Sequence, residues 1–317
     1  MHAPAAQGYI SRYFTSAEGL KLHYREYQGP ANAPLTVICV PGLTRNARDF
    51  EALAPHLAAK YHVWVLELRG RGLSAYADDP MTYVPATYVR DVIALFQQTG
   101  LKHAAFVGTS LGGIVSTLFA AVMPAKVLGV VINDIGPELN PVGLGRIGSL
   151  VGKSRPINNW DDAIWAIRDI DGPVFPHYGA ADWDRVARRR FVENADGSLR
   201  ADYDLNISKP FAVPGTMPDL WPFFRRLKGI PALLIRGGTS DLLAPATVTR
   251  MTEALPGLRA VETPNIGHAP YLDEPEALNA IDAFLAQLPR SVGALTSLCR
   301  TLGAWGFMLR LKLRGVV

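Results

Sequence analysis

The sequence predicts an α/β protein: a mostly parallel, doubly wound sheet of eight strands, with a helical segment inserted between two of them. Three observations predict it. Short apolar, β-branched runs recur through residues 35–132 and again through 230–261, as strands covered on both faces require. Helical spacing follows most of these runs, so strands and helices alternate. The alternation breaks between residues 137 and 224, where Trp, Pro and charge become frequent.

Each element has its own signal. Residues 9–15 and 20–27 alternate apolar and polar around a polar break at 16–19, which reads as an antiparallel hairpin. Residues 35–40 are a continuous apolar run ending in Pro41-Gly42, a buried strand. Phe50, Leu53, Leu57 and Ala58 are spaced as a helix, and residues 61–68 form the next strand. Residues 88–98 are helical by spacing, with Gly100 as a stop. Then come a strand at 104–107, an apolar helix at 111–122 ended before Pro124, and a strand at 127–132. Beyond the break, 230–235 and 258–261 are strands, while 246–255 and 275–288 are helical. Within the break, helices are expected at 161–170 and 181–194.

The domain organisation follows. Residues 1–136 and 225–289 form the core, 137–224 a helical lid, and 290–317 a basic amphipathic tail. A block inserted at that point covers the C-terminal edge of the sheet, where open α/β sheets bind ligands.

Charge narrows the partners. The chain of 317 residues carries a formal net charge of +4 and a sequence pI near 9.1, which at first suggests nucleic acid or an anionic membrane. Five of the 32 basic residues lie in 290–317: Arg290, Arg300, Arg310, Lys312 and Arg314. None of the 28 acidic residues does, so the rest of the chain is near neutral. Nucleic acid is therefore not an expected partner. In the tail, Leu295, Leu298, Cys299, Leu302, Gly306 and Leu309 follow helical spacing on one face. Packing of that face on the body or on another subunit is the first expectation, and an anionic membrane surface the second. No run is long and apolar enough to span a bilayer. Cys39 and Cys299 are too far apart in sequence for a disulfide framework or zinc site, and Met1 to Gln7 lack signal-peptide character. A cytoplasmic, reducing setting is expected.

The chemistry centres on Gly108-Thr109-Ser110-Leu111-Gly112, placed between a buried strand and an apolar helix. A serine at so sharp a turn has strained backbone angles, and its neighbours two residues away must be small. The turn lifts the Ser110 hydroxyl above the sheet edge. It also aims the Leu111 N–H from a helix N-terminus, where an oxyanion is favoured. A serine needs a base, and the base an orienting acid. His268, in Gly267-His268-Ala269-Pro270, follows the last strand at the same edge. Asp241, just beyond the strand at 230–235, is the preferred acid; Asp134, directly after the strand at 127–132, is its rival. The Pro41-Gly42-Leu43 loop is placed to supply a second oxyanion donor, the Leu43 N–H. The loop Glu67-Leu68-Arg69-Gly70-Arg71-Gly72-Leu73-Ser74 lacks phosphate-binding spacing and reads as structural.

These residues, in this order, resemble an α/β-hydrolase-fold enzyme of the lidded serine esterase or lactonase type, over roughly residues 8–288. The resemblance implies Ser110 as nucleophile, His268 as base, Asp241 as orienting acid, Leu43 and Leu111 as oxyanion donors, and no cofactor. Two departures are visible: Pro41-Gly42 replaces the family's usual His-Gly, and Glu67 replaces its usual Asp. A serine nucleophile argues against dehalogenases and epoxide hydrolases, which use aspartate. The implied reaction is hydrolysis of small, largely apolar carboxylic esters or lactones through an acyl-enzyme. Carbon–carbon bond hydrolases, cofactor-free perhydrolases or haloperoxidases, and a hydrolase-fold binding protein are the alternatives. Lid aromatics, among them Trp160, Phe175, Trp183 and Trp221, are expected mainly to pack the lid. Arg188-Arg189-Arg190 offers charge for an acidic group, but three consecutive helical residues point in different directions, so a solvated face is the preferred expectation.

Overall fold

Val37 and Cys39 face one layer of helices while Ile38 and Val40 face the other, and this two-sided burial organises the molecule. The computed structural model describes residues 8–153, 156–213 and 219–313; the readings placed on Met1 to Gln7 and on Arg314 lie outside them. In chain order come strands β1 (Ile10–Thr15), β2 (Lys21–Tyr27) and β3 (Thr36–Val40), helix α1 (Leu53–Ala58), strand β4 (His62–Leu66) and helix α2 (Pro85–Thr99). Strand β5 (Ala104–Thr109), helix α3 (Leu111–Val122) and strand β6 (Val127–Asn133) follow. Next are helices α4 (Pro141–Gly148), α5 (Trp160–Asp171) and α6 (Ala180–Arg190), a short hairpin of β7 (Phe191–Glu193) and β8 (Leu199–Ala201), and helix α7 (Trp221–Phe224). Strand β9 (Ala232–Gly237), helix α8 (Pro245–Ala254), strand β10 (Leu258–Thr263) and helices α9 (Pro275–Ala286) and α10 (Ala294–Leu313) complete the order.

The main sheet has eight strands in the order β1-β2-β4-β3-β5-β6-β9-β10. β1, β2 and β4 pair antiparallel; every other neighbouring pair is parallel. Leu53 and Leu57 of α1 and Ile281 and Phe284 of α9 fill one face, against Val37, Val107 and Ile235. α2 and α3 fill the other, with Phe96, Phe106 and Phe119 in mutual ring contact. The order of strand addition reverses at β3, with β4 added on one side and β5 on the other, so the loops after β3 and β5 open a crevice between them. This is where open α/β sheets hold ligands.

The segment between β6 and β9 has a small core of its own, built from Ile157, Ala163, Ile167, Phe175, Trp183 and Val186. Two details differ from the sequence reading. The helix expected over 181–194 stops at Arg190, because Phe191–Glu193 pairs with Leu199–Ala201. α4 was not expected, since Gly143, Gly145 and Gly148 conceal its spacing.

α10 packs on the body, but not by the predicted face. Ala304, Phe307 and Leu311 are buried, with Phe307 edge-on to Phe223 at 5.3 Å. Arg300 donates to the carbonyls of Pro124, Val127 and Gly229 at 2.5–3.2 Å, tying the helix down. Leu295, Leu298, Leu302 and Leu309 point outward. Among the described residues no helix is long and apolar enough to cross a membrane.

Candidate active site

Ser110 sits between β5 and α3 with φ 51° and ψ −117°, a conformation a non-glycine residue adopts only when its surroundings impose it. The imposing contacts are visible. A Cβ on Gly108 would strike the backbone of Gly112, and a Cβ on Gly112 would strike the Val40 carbonyl of β3. Both glycines are therefore required by close packing of α3 onto the sheet. The Ser110 N–H donates to Asn133 O at 2.9 Å, pinning the turn to β6.

His268 is the residue brought to Ser110. Its Nε2 lies 2.9 Å from Ser110 Oγ, and its Nδ1 lies 2.8 Å from Asp134 Oδ2. Asp134 is fully buried and follows β6 directly, at φ 53°. Its second oxygen accepts the Gly237 N–H at 2.9 Å, so both carboxylate oxygens are committed. With Nδ1 donating to the carboxylate, Nε2 is left as an acceptor facing the serine hydroxyl.

The expected acid, Asp241, is not on His268. It accepts two hydrogen bonds from Arg146 of α4, at 2.6 and 2.9 Å. Burial works against its charge, yet the Arg146 contacts prevail and hold its carboxyl below the ordinary value, with His268 acting in the same direction. Asp134 and Asp241 follow the adjacent parallel strands β6 and β9, so local sequence makes both plausible. Asp134 leaves its strand at once, whereas Asp241 lies four residues past β9, within reach of α4.

The oxyanion candidates flank the serine. Leu111 is the first residue of α3, so its N–H is one of those a helix cannot use internally. Gly42 and Leu43 line the same cavity as Ser110 and His268. Arg71, wholly buried, donates from Nε to Leu43 O at 2.9 Å and from Nη1 to Arg69 O and Tyr88 Oη, fixing this loop. Glu67 accepts from the Ala47 and Leu73 N–H groups and from His23. The glycine-containing loop is thus a buried brace beside the site.

Two site residues, Asn133 and Tyr271, went unread in the sequence, and a third, Arg190, was read otherwise. Asn133 joins β5 to the histidine loop, its amide donating to Thr109 Oγ1 at 3.0 Å and Pro270 O at 2.8 Å. Tyr271 Oη accepts from Arg45 at 2.9 Å and Arg190 at 3.1 Å. Arg190, expected on a solvated face, instead lines the cavity, paired to Asp171 at 2.6 Å. Arg189 is also buried, on Glu51, and only Arg188 is exposed as expected. No local spacing announces these contacts, because each joins elements far apart in sequence.

Ser110 and His268 open onto a cavity of about 800 Å³. Its wall mixes apolar side chains (Leu43, Ile147, Leu150, Ile167) with Arg45, Lys153, Arg190 and Arg200. The aromatic wall residues are Tyr76, Phe191 and Tyr203, while Phe175 and Trp183 pack inside the insertion. Among the described residues no cluster of three or more His, Cys, Asp or Glu is disposed to hold a metal ion.

Comparison with known proteins agrees with this architecture. Residues 37–281 match the model of the alpha/beta hydrolase family. The chain is 31% identical over 264 residues to a 3-hydroxybutyrate-oligomer hydrolase of Cupriavidus necator, covering 80% of this chain and 89% of that one. It is 30% identical over 250 residues to a 2-(acetamidomethylene)succinate hydrolase of Mesorhizobium japonicum, covering 77% and 85%. A crystal structure of an alpha/beta hydrolase from Novosphingobium aromaticivorans superposes with TM-score 0.85 at 45% identity, covering 89% of this chain and 99% of that one. The chain belongs to the alpha/beta hydrolase family, and that membership supports a hydrolase activity.

Proposed function

We propose that the protein is a serine hydrolase cleaving carboxylic esters or lactones of small acids through an acyl-enzyme. The hydrogen-bonded series Asp134–His268–Ser110, whose histidine and serine line a cavity of about 800 Å³, carries this reading. Ser110 Oγ attacks the acyl carbon as His268 Nε2 takes its proton, and Asp134 stabilises the imidazolium. The Leu43 and Leu111 N–H groups receive the oxyanion. The tetrahedral intermediate collapses, and the departing alkoxide takes the proton from His268. Water then gives a proton to His268 as it attacks the acyl carbonyl, and the acid leaves as Ser110 regains its hydrogen.

The cavity wall narrows the substrate. The basic side chains of the wall, Arg45, Arg146, Lys153, Arg190 and Arg200, outnumber its acidic ones, Asp171 and Asp204, which favours a substrate with negative charge. The two curated relatives are named for hydrolysing 3-hydroxybutyrate oligomers and 2-(acetamidomethylene)succinate, both carboxylates. The substrate is therefore a short ester that itself carries a carboxylate, as in a hydroxy-acid dimer.

A fluorophosphonate probe tests the chemistry. Labelling of wild type at Ser110, together with turnover of p-nitrophenyl butyrate or a 3-hydroxybutyrate dimer that Ser110→Ala abolishes, is the expected result. Neither labelling nor hydrolysis would leave a binding role in place of an enzymatic one.

A further inference from the structure

The outward face of α10 is apolar over most of its length. Leu295, Leu298, Leu302, Trp305, Leu309 and Leu313 are between 56% and 78% exposed. At 100° per residue they fall within an arc of about 80°, and from Leu295 to Leu313 the stripe runs about 27 Å. Arg310 and Lys312, both exposed, stand on opposite sides of that arc, each about 80° from Leu302. The opposite side of the helix is occupied, since Ala304, Phe307 and Leu311 are buried against the body. Arg300 is committed to three backbone carbonyls. The helix is thus held in place with its stripe facing outward.

We infer that this face seats on an anionic lipid surface, with the leucines and Trp305 at the headgroup boundary and Arg310 and Lys312 reaching lipid phosphates from either side. Charge selects this occupant over a second copy. A two-fold pair would bring the same patch together from both chains. Residues 290–317 hold five basic side chains and no acidic one, so such a pair contains nothing within the segment to neutralise it. An anionic surface supplies the missing countercharge, and an aromatic ring beside basic flanks suits an interface.

Vesicle flotation of the full chain tests the inference. Vesicles of phosphatidylcholine alone are compared with vesicles holding one part phosphatidylglycerol to two parts phosphatidylcholine. Roughly tenfold or stronger binding to the anionic vesicles, weakened by added salt, is expected. Leu302→Gln with Trp305→Gln, and separately Arg310→Gln with Lys312→Gln, should each lower that binding roughly tenfold or more. All four positions are exposed, and unchanged circular-dichroism melts confirm that the variants fold. Equal binding to both vesicle types, or none, overturns the inference. So does a concentration-dependent dimer in sedimentation that the Leu302→Gln, Trp305→Gln variant dissolves, because the second copy is then the occupant.

Discussion

Asp241 is clamped by Arg146 through hydrogen bonds of 2.6 and 2.9 Å, and the carboxylate on His268 is instead that of Asp134. Two acids at one sheet edge therefore have separate tasks. One orients the imidazole, and the other ties α4 of the insertion to the loop after β9. Asp171 extends the tie, accepting from Arg190 and lying 3.6 Å from Arg146.

Substituting the two acids distinguishes these tasks. Asp134→Asn keeps the shape but removes the charge that favours the imidazolium, and kcat should fall by roughly 10³- to 10⁴-fold. Asp241→Asn should leave kcat near wild type while costing about 1 kcal/mol of stability. Steady-state kinetics and denaturant unfolding of both variants decide the matter. The reverse pattern would return Asp241 to the catalytic role.

Arg190 should discriminate between substrates. Arg190→Met removes a charged donor from the cavity wall, while Arg146 stays beside Asp171. KM for a carboxylate-bearing ester should rise roughly tenfold or more, with kcat and the KM for a neutral ester little changed. An equal loss for both substrates would mean that Arg190 only supports the insertion.

Glycine packing predicts opposite signs at two positions. Gly112→Ala drives a methyl into the Val40 carbonyl and should cost about 3 kcal/mol or more. Gly145→Ala, on an exposed turn of α4 with open space around it, should gain about 0.5–1 kcal/mol. Urea unfolding midpoints check both. A tolerated Gly112→Ala would show that α3 can move away from β3.

Glu67 gives a pH signature. Burial alone would raise its carboxyl, but hydrogen bonds from His23 and the Leu73 N–H outweigh that and hold it below its ordinary value of 4.5. The folded state therefore favours the charged form. Its stabilisation is complete above pH 4.5 and is lost as pH falls through the lowered folded value. Glu67→Gln should cost about 1–3 kcal/mol at neutral pH, and the gap to wild type should shrink in acid. Unfolding measured at both pH values tests this; an undiminished gap in acid would mean that Glu67 acts through shape alone.

Much of the site was legible because its signals are local. Gly108 and Gly112 bracket Ser110 within one turn, and His268 follows the last strand. The tail was half legible. Helical spacing identified its apolar stripe, but Phe307 and Leu311, on the opposite side, make the contact with the body. A helix with two apolar faces does not say which one its neighbour will take.

By itself, the sequence determined the alternating strands and helices, the strained serine turn, and the position of the tail's charge. Each depends on residues close together along the chain, where period and steric size act directly. Tertiary structure alone decided which carboxylate meets His268, which arginines reach the cavity, and which face of α10 remains outside. Those outcomes turn on ångström-scale reach between elements distant in sequence: Asp134 at the end of β6 sits under the imidazole, and Arg146, carried on an inserted helix, claims Asp241.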